Sequence, residues 1–209
     1  MRLTPLNALK RSVAALEKLP CRFCLIGGHA ASLYRAQERF TDDVDFALVA
    51  SPKNSSRAVA ESVIKNLGIK PMVGVIPLGK NERARPTVCM ITSEPAAKDL
   101  SGIVDILLPE VPWVPEAVER AQSNIIDLGF AGVPVITPED LILAKCLSLA
   151  NAPDRFQDLD DLKHLFKDVK DLDIDYIRRR LGELSLVIPE IVASHAPPSL
   201  IAPKPKQRS

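Results

Sequence analysis

An apolar run, Phe23-Cys24-Leu25-Ile26, stops at Gly27-Gly28 and gives way at once to a helix-forming stretch from Ala30 to Gln37. No other feature constrains the fold as much. A short buried strand that ends in a glycine turn and feeds a helix belongs to a layered α/β core, where each element covers its neighbour's apolar face. The flanking pattern agrees. Leu6, Leu9, Val13 and Leu16 recur at helical spacing over residues 5 to 18, and Pro20 ends that helix. Val44 to Val49 reads as a second strand stopped by Ser51-Pro52, and Val59, Val63, Ile64 and Leu67 predict a helix over 56–67, capped by Gly68.

Further strands are expected over 72–76, 87–91, 103–108 and 132–136, from β-branched and apolar residues. The first two are separated by a basic, turn-rich loop from Pro77 to Pro86 that carries Lys80, Arg83 and Arg85. Thr137-Pro138-Glu139-Asp140 announces a helix with an N-cap Thr, a Pro in first position and an acid in the capping-box position. That helix should run to about Ala150, with others over 154–169 and 174–184. The expected fold class is α/β of the α+β kind, a mixed β-sheet flanked by helices with C-terminal helices added. Residues 1–136 would form the core and 137–195 a helical part packed on it. Residues 196–209, rich in Pro and Lys, would be a disordered tail. No internal repeat is visible.

Composition narrows the function classes. Aromatic residues make up only 4% of the chain, so the core must be largely aliphatic, and a net charge of +1 gives no basis for strong nonspecific nucleic-acid binding. Cys21 and Cys24 form a C-x-x-C, a spacing that suits zinc or redox chemistry. The second half of a zinc site is missing, because Cys89 and Cys146 are far apart, and the surrounding apolar residues favour buried structural thiols. No apolar stretch reaches about 18 residues, so no membrane helix is expected, and the N-terminus does not read as a signal peptide. A cytoplasmic setting follows.

Three acids stand out. Asp43 and Asp45 are two residues apart at the second strand, so their side chains share a face, roughly 6 to 7 Å apart along an extended chain. Such a pair, together with substrate phosphates, suits Mg²⁺. Asp105 stands among apolar strand residues, where a carboxylate is costly unless something compensates it. Gly27-Gly28 can present backbone N–H groups to a phosphate with no Cβ in the way. Each signal alone has a bland reading, as a solvated turn or a tight strand-to-helix connection.

Together the residues carry a likeness. Gly27-Gly28-His29-Ala30 followed by Arg39-Phe40-Thr41-Asp42-Asp43-Val44-Asp45 resembles the nucleotidyltransferase superfamily of the DNA polymerase β type. Within it, the AbiEii-like and DUF6036-like bacterial branch matches best. Val104-Asp105, the Pro138-Glu139-Asp140-Leu141-Ile142-Leu143-Ala144-Lys145 helix, and the segment from Arg155 through Asp158-Leu159 to Asp161-Leu162 follow in the order of that branch. The resemblance covers residues from about 20 to 167.

The resemblance implies a nucleotidyltransferase core and transfer of a nucleoside monophosphate from a nucleoside triphosphate. It implies two Mg²⁺ ions on Asp43, Asp45 and Asp105. It also implies Gly27, Gly28, Arg39 and Thr41 as the nucleotide-binding set, and Lys145 with Asp158 as further catalytic groups. The acceptor would be RNA, a tRNA end or a protein hydroxyl, and the chain could be the toxin of a toxin–antitoxin pair with an antitoxin partner. The alternatives are an inactive nucleotide- or partner-binding module of the same fold, and a small-molecule (antibiotic) nucleotidyltransferase. One departure is visible: Gly28 stands where the wider superfamily usually has Ser, so a hydroxyl contact to phosphate is lost. His29 reads as a helix-start residue, and Arg178-Arg179-Arg180 as a solvated helix face.

Overall fold

The computed structural model describes residues 4–37, 39–76, 87–93 and 104–201. The expected basic loop from Pro77 to Pro86 and the side chain of Cys89 lie outside them. The chain divides into two compact units, Met1–Leu33 with Gln37–Thr137, and Tyr34–Ala36 with Pro138–Ser209.

In the first unit, α1 (Pro5–Leu16) starts at Thr4, whose hydroxyl accepts from the Asn7 amide at 3.3 Å. Its Ala8, Leu9, Val13 and Leu16 are buried, whereas Leu6 of the expected stripe is exposed because Ala8 takes its place on the inner face. Five strands, β1 (Cys21–Leu25), β2 (Val44–Ala50), β3 (Pro71–Ile76), β4 (Thr87–Ser93) and β5 (Val104–Leu107), form a sheet in the order β1-β2-β5-β4-β3. Only the β2–β5 pairing is parallel. Parallel neighbours need a long crossover, supplied by α3 (Ser56–Asn66), β3 and β4.

Phe46, Ala47 and Leu48 of β2 are all buried, so that strand is covered on both faces. Phe23 and Phe46 meet edge to face with ring centroids 6.1 Å apart. Between β1 and β2 runs α2 (Gly27–Tyr34), which begins at the glycines themselves, three residues earlier than the side-chain pattern indicates. Apolar periodicity cannot see a helical turn built from glycine.

Helix Val114–Ala121 and strand Ile125–Asp127 were not expected, whereas Gly132–Pro134 falls within the strand expected over 132–136. Pro112 and Pro115 obscure α4 (Val114–Ala121), although Val114, Ala117, Val118 and Ala121 make a buried stripe and Pro115 sits in its first turn, where proline is tolerated. The hairpin of β6 (Ile125–Asp127) and β7 (Gly132–Pro134) takes only three residues from each strand. It leads back to the sheet where Val135 bridges Leu25 and the Ile136 amide donates to the Leu25 carbonyl at 3.0 Å.

The second unit is helical: α5 (Pro138–Asn151), α6 (Phe156–Asp168) and α7 (Ile174–Glu183), then single 3-10 turns at Glu190–Val192 and Pro198–Leu200. Ala196 and Leu200, inside the stretch expected as a tail, are buried. Leu200 supplies the apolar anchor that the Pro-rich composition hides.

Glu139 and Asp140 are both buried at the start of α5, where the helix dipole favours acids. Asp140 accepts from the Tyr176 hydroxyl at 2.5 Å, and Glu139 accepts from the Asp173 amide at 3.2 Å. The Pro-Glu-Asp segment therefore ties α7 to α5. Arg178 pairs with Asp175 and Arg179 with Glu183 on the solvated face that was expected, whereas Arg180, which also pairs with Glu183, is buried and does not belong to that face.

Candidate active site

The expected site residues fall into two groups, one in each unit. In the first unit, Asp45 and Asp105 are direct register partners across the parallel β2–β5 pair, so their side chains leave the sheet on one face. Asp43 lies just before β2 rather than within it. It is still near enough for its charge to act on Asp105.

Asp105 titrates above the usual carboxylate range. Burial is the main cause and the Asp43 charge adds to it, while a hydrogen bond from Thr92 opposes both. Its Oδ1 is buried and has no hydrogen-bond partner among the described residues. Thr92, directly across from Asp105 on β4, is a site residue the sequence did not reveal, because only the strand register pairs them.

The glycine turn is shaped around these groups. Gly27 has φ +64°, and a Cβ there would overlap Asp45 Oδ2. The Asp45 carboxylate thus packs against the first turn of α2, where backbone amides favour negative charge. A Cβ on Gly28 would overlap the Arg39 guanidinium and stand 2.7 Å from Thr41 Oγ1. Arg39 and Thr41 are therefore folded onto the glycine turn, which brings all four expected nucleotide-binding residues together.

The Ser32 hydroxyl secures this arrangement, donating toward the Gly28 carbonyl at 2.9 Å and the Arg39 carbonyl at 3.2 Å. His29 is held below its usual range by burial and by the Arg39 charge, so its ring is neutral at pH 7. Its Nε2 is buried without a partner among the described residues.

In the second unit, Lys145 Nζ lies 2.5 Å from Asp158 Oδ1 and 2.8 Å from Asp161 Oδ2. Asp158 also accepts from Ser148 at 2.7 Å and pairs with Arg155 at 2.9 Å. Asp161 is fully buried, and its other oxygen binds Arg35 at 2.8 Å, while Arg35 reaches Asp160 at 2.7 Å. Asp161 thus bridges Lys145 and Arg35. Arg35 gave no signal of its own.

Among the described residues, Cys21, Cys24 and Cys146 form no metal-binding group. Burial pushes the Cys21 thiol up to about 11 and the Cys146 thiol to about 12. Cys21 and Cys24, three apart on a strand, leave it on opposite faces.

Mg²⁺, which the resemblance implies, fits the first group. The donors are hard carboxylate oxygens, one of them buried and unsatisfied. Among the described residues no three His, Cys, Asp or Glu side chains form a ready cage for a metal. Mg²⁺ seldom uses an all-protein cage, since it binds through one or two carboxylates together with substrate phosphates. No helix among the described residues is long and apolar enough to cross a membrane.

Comparison with known proteins places the fold and the family. The antibiotic-resistance factor ANT(2'')-Ia, in its solution structure, is similar over 85% of this chain and 91% of its own, with TM-score 0.53 and 15% identity. The crystal structure of ANT(2'')-Ia in complex with adenylyl-2''-tobramycin gives TM-score 0.54 at 15% identity, over 84% of this chain and 95% of that one. At this identity the likeness establishes the fold. No curated protein matches the sequence. The family model described as "Nucleotidyl transferase AbiEii toxin, Type IV TA system" matches residues 8–194. That span takes in the glycine turn, the three acids and both helices of the Lys145–Asp158 pair, and the chain belongs to the AbiEii family of nucleotidyltransferases.

Proposed function

We propose that the chain transfers a nucleoside monophosphate from a nucleoside triphosphate, with Mg²⁺, to a hydroxyl of an RNA, in particular a tRNA end, or of a protein. We further propose that it acts as the toxin of a toxin–antitoxin pair, with an antitoxin as its partner. The observation that carries the chemistry is the Asp45–Asp105 register pair set against the Gly27 turn.

In this reading the acceptor oxygen bonds to the α-phosphorus while the bond from that phosphorus to the bridging oxygen breaks. Pyrophosphate leaves with the electron pair. Asp43, Asp45 and Asp105 would hold Mg²⁺, which when bound would neutralise charge on the phosphates. Gly27 and Gly28 offer backbone amides to the triphosphate, with Arg39 and Thr41 beside them. The Oδ1 of Asp105, which has no hydrogen-bond partner among the described residues, is a ready acceptor for the proton of the attacking hydroxyl. Lys145, ion-paired with Asp158 in the helical unit, is the further cation this reading enlists. The intact set of acids argues against an inactive binding module.

The test combines purified protein, Mg²⁺, each α-labelled nucleoside triphosphate, total RNA and cell lysate, with an Asp43→Ala, Asp45→Ala double variant beside it. Label on a discrete RNA or protein band with wild type alone supports the reading. Label found only on added aminoglycoside would instead make this a small-molecule transferase. Growth arrest on expression, abolished in the double variant, tests the toxin assignment.

A further inference from the structure

Tyr34–Ala36 belongs to the helical unit although the chain before and after it belongs to the first. The reason is a grip by α6. The Arg35 side chain is only 4% exposed, with Nη1 donating to Asp161 Oδ1 at 2.8 Å and Nη2 to Asp160 Oδ2 at 2.7 Å. The next residue's amide, Ala36 N, donates to Asp168 Oδ2 at 3.1 Å, and His164 Nδ1 lies 3.0 Å from the same oxygen. Three carboxylates of one helix thus hold two consecutive residues of the α2–β2 connection. This guanidinium is buried with both Nη arms paired, although its Nε has no partner among the described residues, and the two-armed pairing fixes its orientation.

From this arrangement we infer that Arg35 is a positioning residue for the nucleotide-facing segment, fixing the start of the chain that carries Arg39 and Thr41. The inference rests on the nucleotide reading of that segment. Arg39 follows Ala36 by three residues, which span at most about 10 to 11 Å when fully extended. Anchoring Ala36 therefore confines the Arg39 backbone to a small volume. The Ser32 hydroxyl holds the Arg39 carbonyl at 3.2 Å as a second tether. Just beyond these two tethers, Arg39 and, two residues on, Thr41 lie against Gly28. Holding them there before the nucleotide arrives removes an ordering cost from binding.

Hydrogen exchange of the full chain without nucleotide tests this directly, using Arg35→Gln, Arg35→Lys and, as a control that loosens the helical unit elsewhere, Tyr176→Phe. Isothermal titration of each variant with each Mg²⁺-nucleoside triphosphate runs in parallel. In Arg35→Gln, exchange at the amides of residues 39–43 should rise about tenfold. Nucleotide binding should weaken by a similar factor of about ten. Arg35→Lys should recover part of both, and Tyr176→Phe should change neither. Should Arg35→Gln fail to fold, Arg35→Lys carries the same comparison at smaller amplitude. Faster exchange confined to residues 34–36 and α6, with the 39–43 amides unchanged, would overturn the inference. A wild type that binds no nucleotide yet shows the exchange response would sink the function reading and leave Arg35 as the anchor of this segment.

Discussion

Asp45 and Asp105 face one another in register across the parallel pair β2 and β5, with Asp43 close enough to act on Asp105. Such a cluster of like charges, one of them desolvated, destabilises the metal-free protein and is relieved by a cation. Asp105→Asn keeps the shape and removes a charge, so without metal it should raise the melting temperature, by about 2–4 °C per kcal/mol recovered. Mg²⁺ should stabilise wild type by mass action, and should do so much less in Asp105→Asn or Asp45→Asn. Thermal melts with EDTA and with millimolar Mg²⁺ decide it. Equal Mg²⁺ shifts in all three proteins would remove these acids from the metal site.

The two glycines differ in what they tolerate. Gly27→Ala meets both a positive φ and Asp45, whereas Gly28→Ala meets Arg39 and Thr41, whose side chains can swing away. Gly27→Ala should cost about 2–3 kcal/mol in urea unfolding and Gly28→Ala about 1 kcal/mol. Gly28→Ala should nevertheless weaken nucleotide binding, because the residues it displaces are those folded over the turn. A Gly28→Ala protein that binds nucleotide as wild type does would show that Arg39 and Thr41 take no part.

Much of this was legible in the sequence, and the reasons are physical. Strands and helices with strong periodicity, such as Val44–Ala50 or Ser56–Asn66, declare themselves within a residue or two. So did the acids, because a carboxylate amid β-branched residues calls for an explanation. What stayed hidden depends on three-dimensional partners. Thr92 matters only because β4 pairs with β5 in a particular register. Arg35 and Asp161 are 126 positions apart, and no local pattern links an arginine after α2 to an aspartate on α6. Helix α4 was masked by prolines that stand where a helix accepts them.

The Pro138-Glu139-Asp140 segment carries part of the resemblance, yet its contacts are structural. Asp140 is buried and accepts a short hydrogen bond from Tyr176. Tyr176→Phe removes the donor and leaves a buried carboxylate less satisfied, which should cost about 1–3 kcal/mol. Nucleotide affinity, measured by titration calorimetry on the folded protein, should be unchanged. A tenfold loss of affinity would instead place this pair in the catalytic machinery.

Lys145 and Asp158 contribute unequally. Lys145→Met strands two buried carboxylates, Asp158 and Asp161, and should cost about 3–5 kcal/mol. Asp158→Asn leaves the ammonium on Asp161 and should cost about 1.5–3 kcal/mol. A double variant should then lose less than the sum of the two. The pair also sets an acid limit. Burial alone would raise the Asp158 carboxyl, yet the Lys145 ammonium, hydrogen bonds from Lys145 and Ser148, and the Arg155 charge outweigh it and hold it below the ordinary range. A carboxyl held low in the folded state binds protons more weakly than in the unfolded chain. Its stabilisation is therefore complete above the ordinary carboxylate value of about 4 and is lost as pH falls through the lower folded value. Urea unfolding from pH 7 down to 3 should show wild type losing stability steeply below about pH 4, with a shallower slope in Asp158→Asn. Parallel slopes would mean that Asp158 titrates as it does in the unfolded chain, and that the short contact to Lys145 carries little energy.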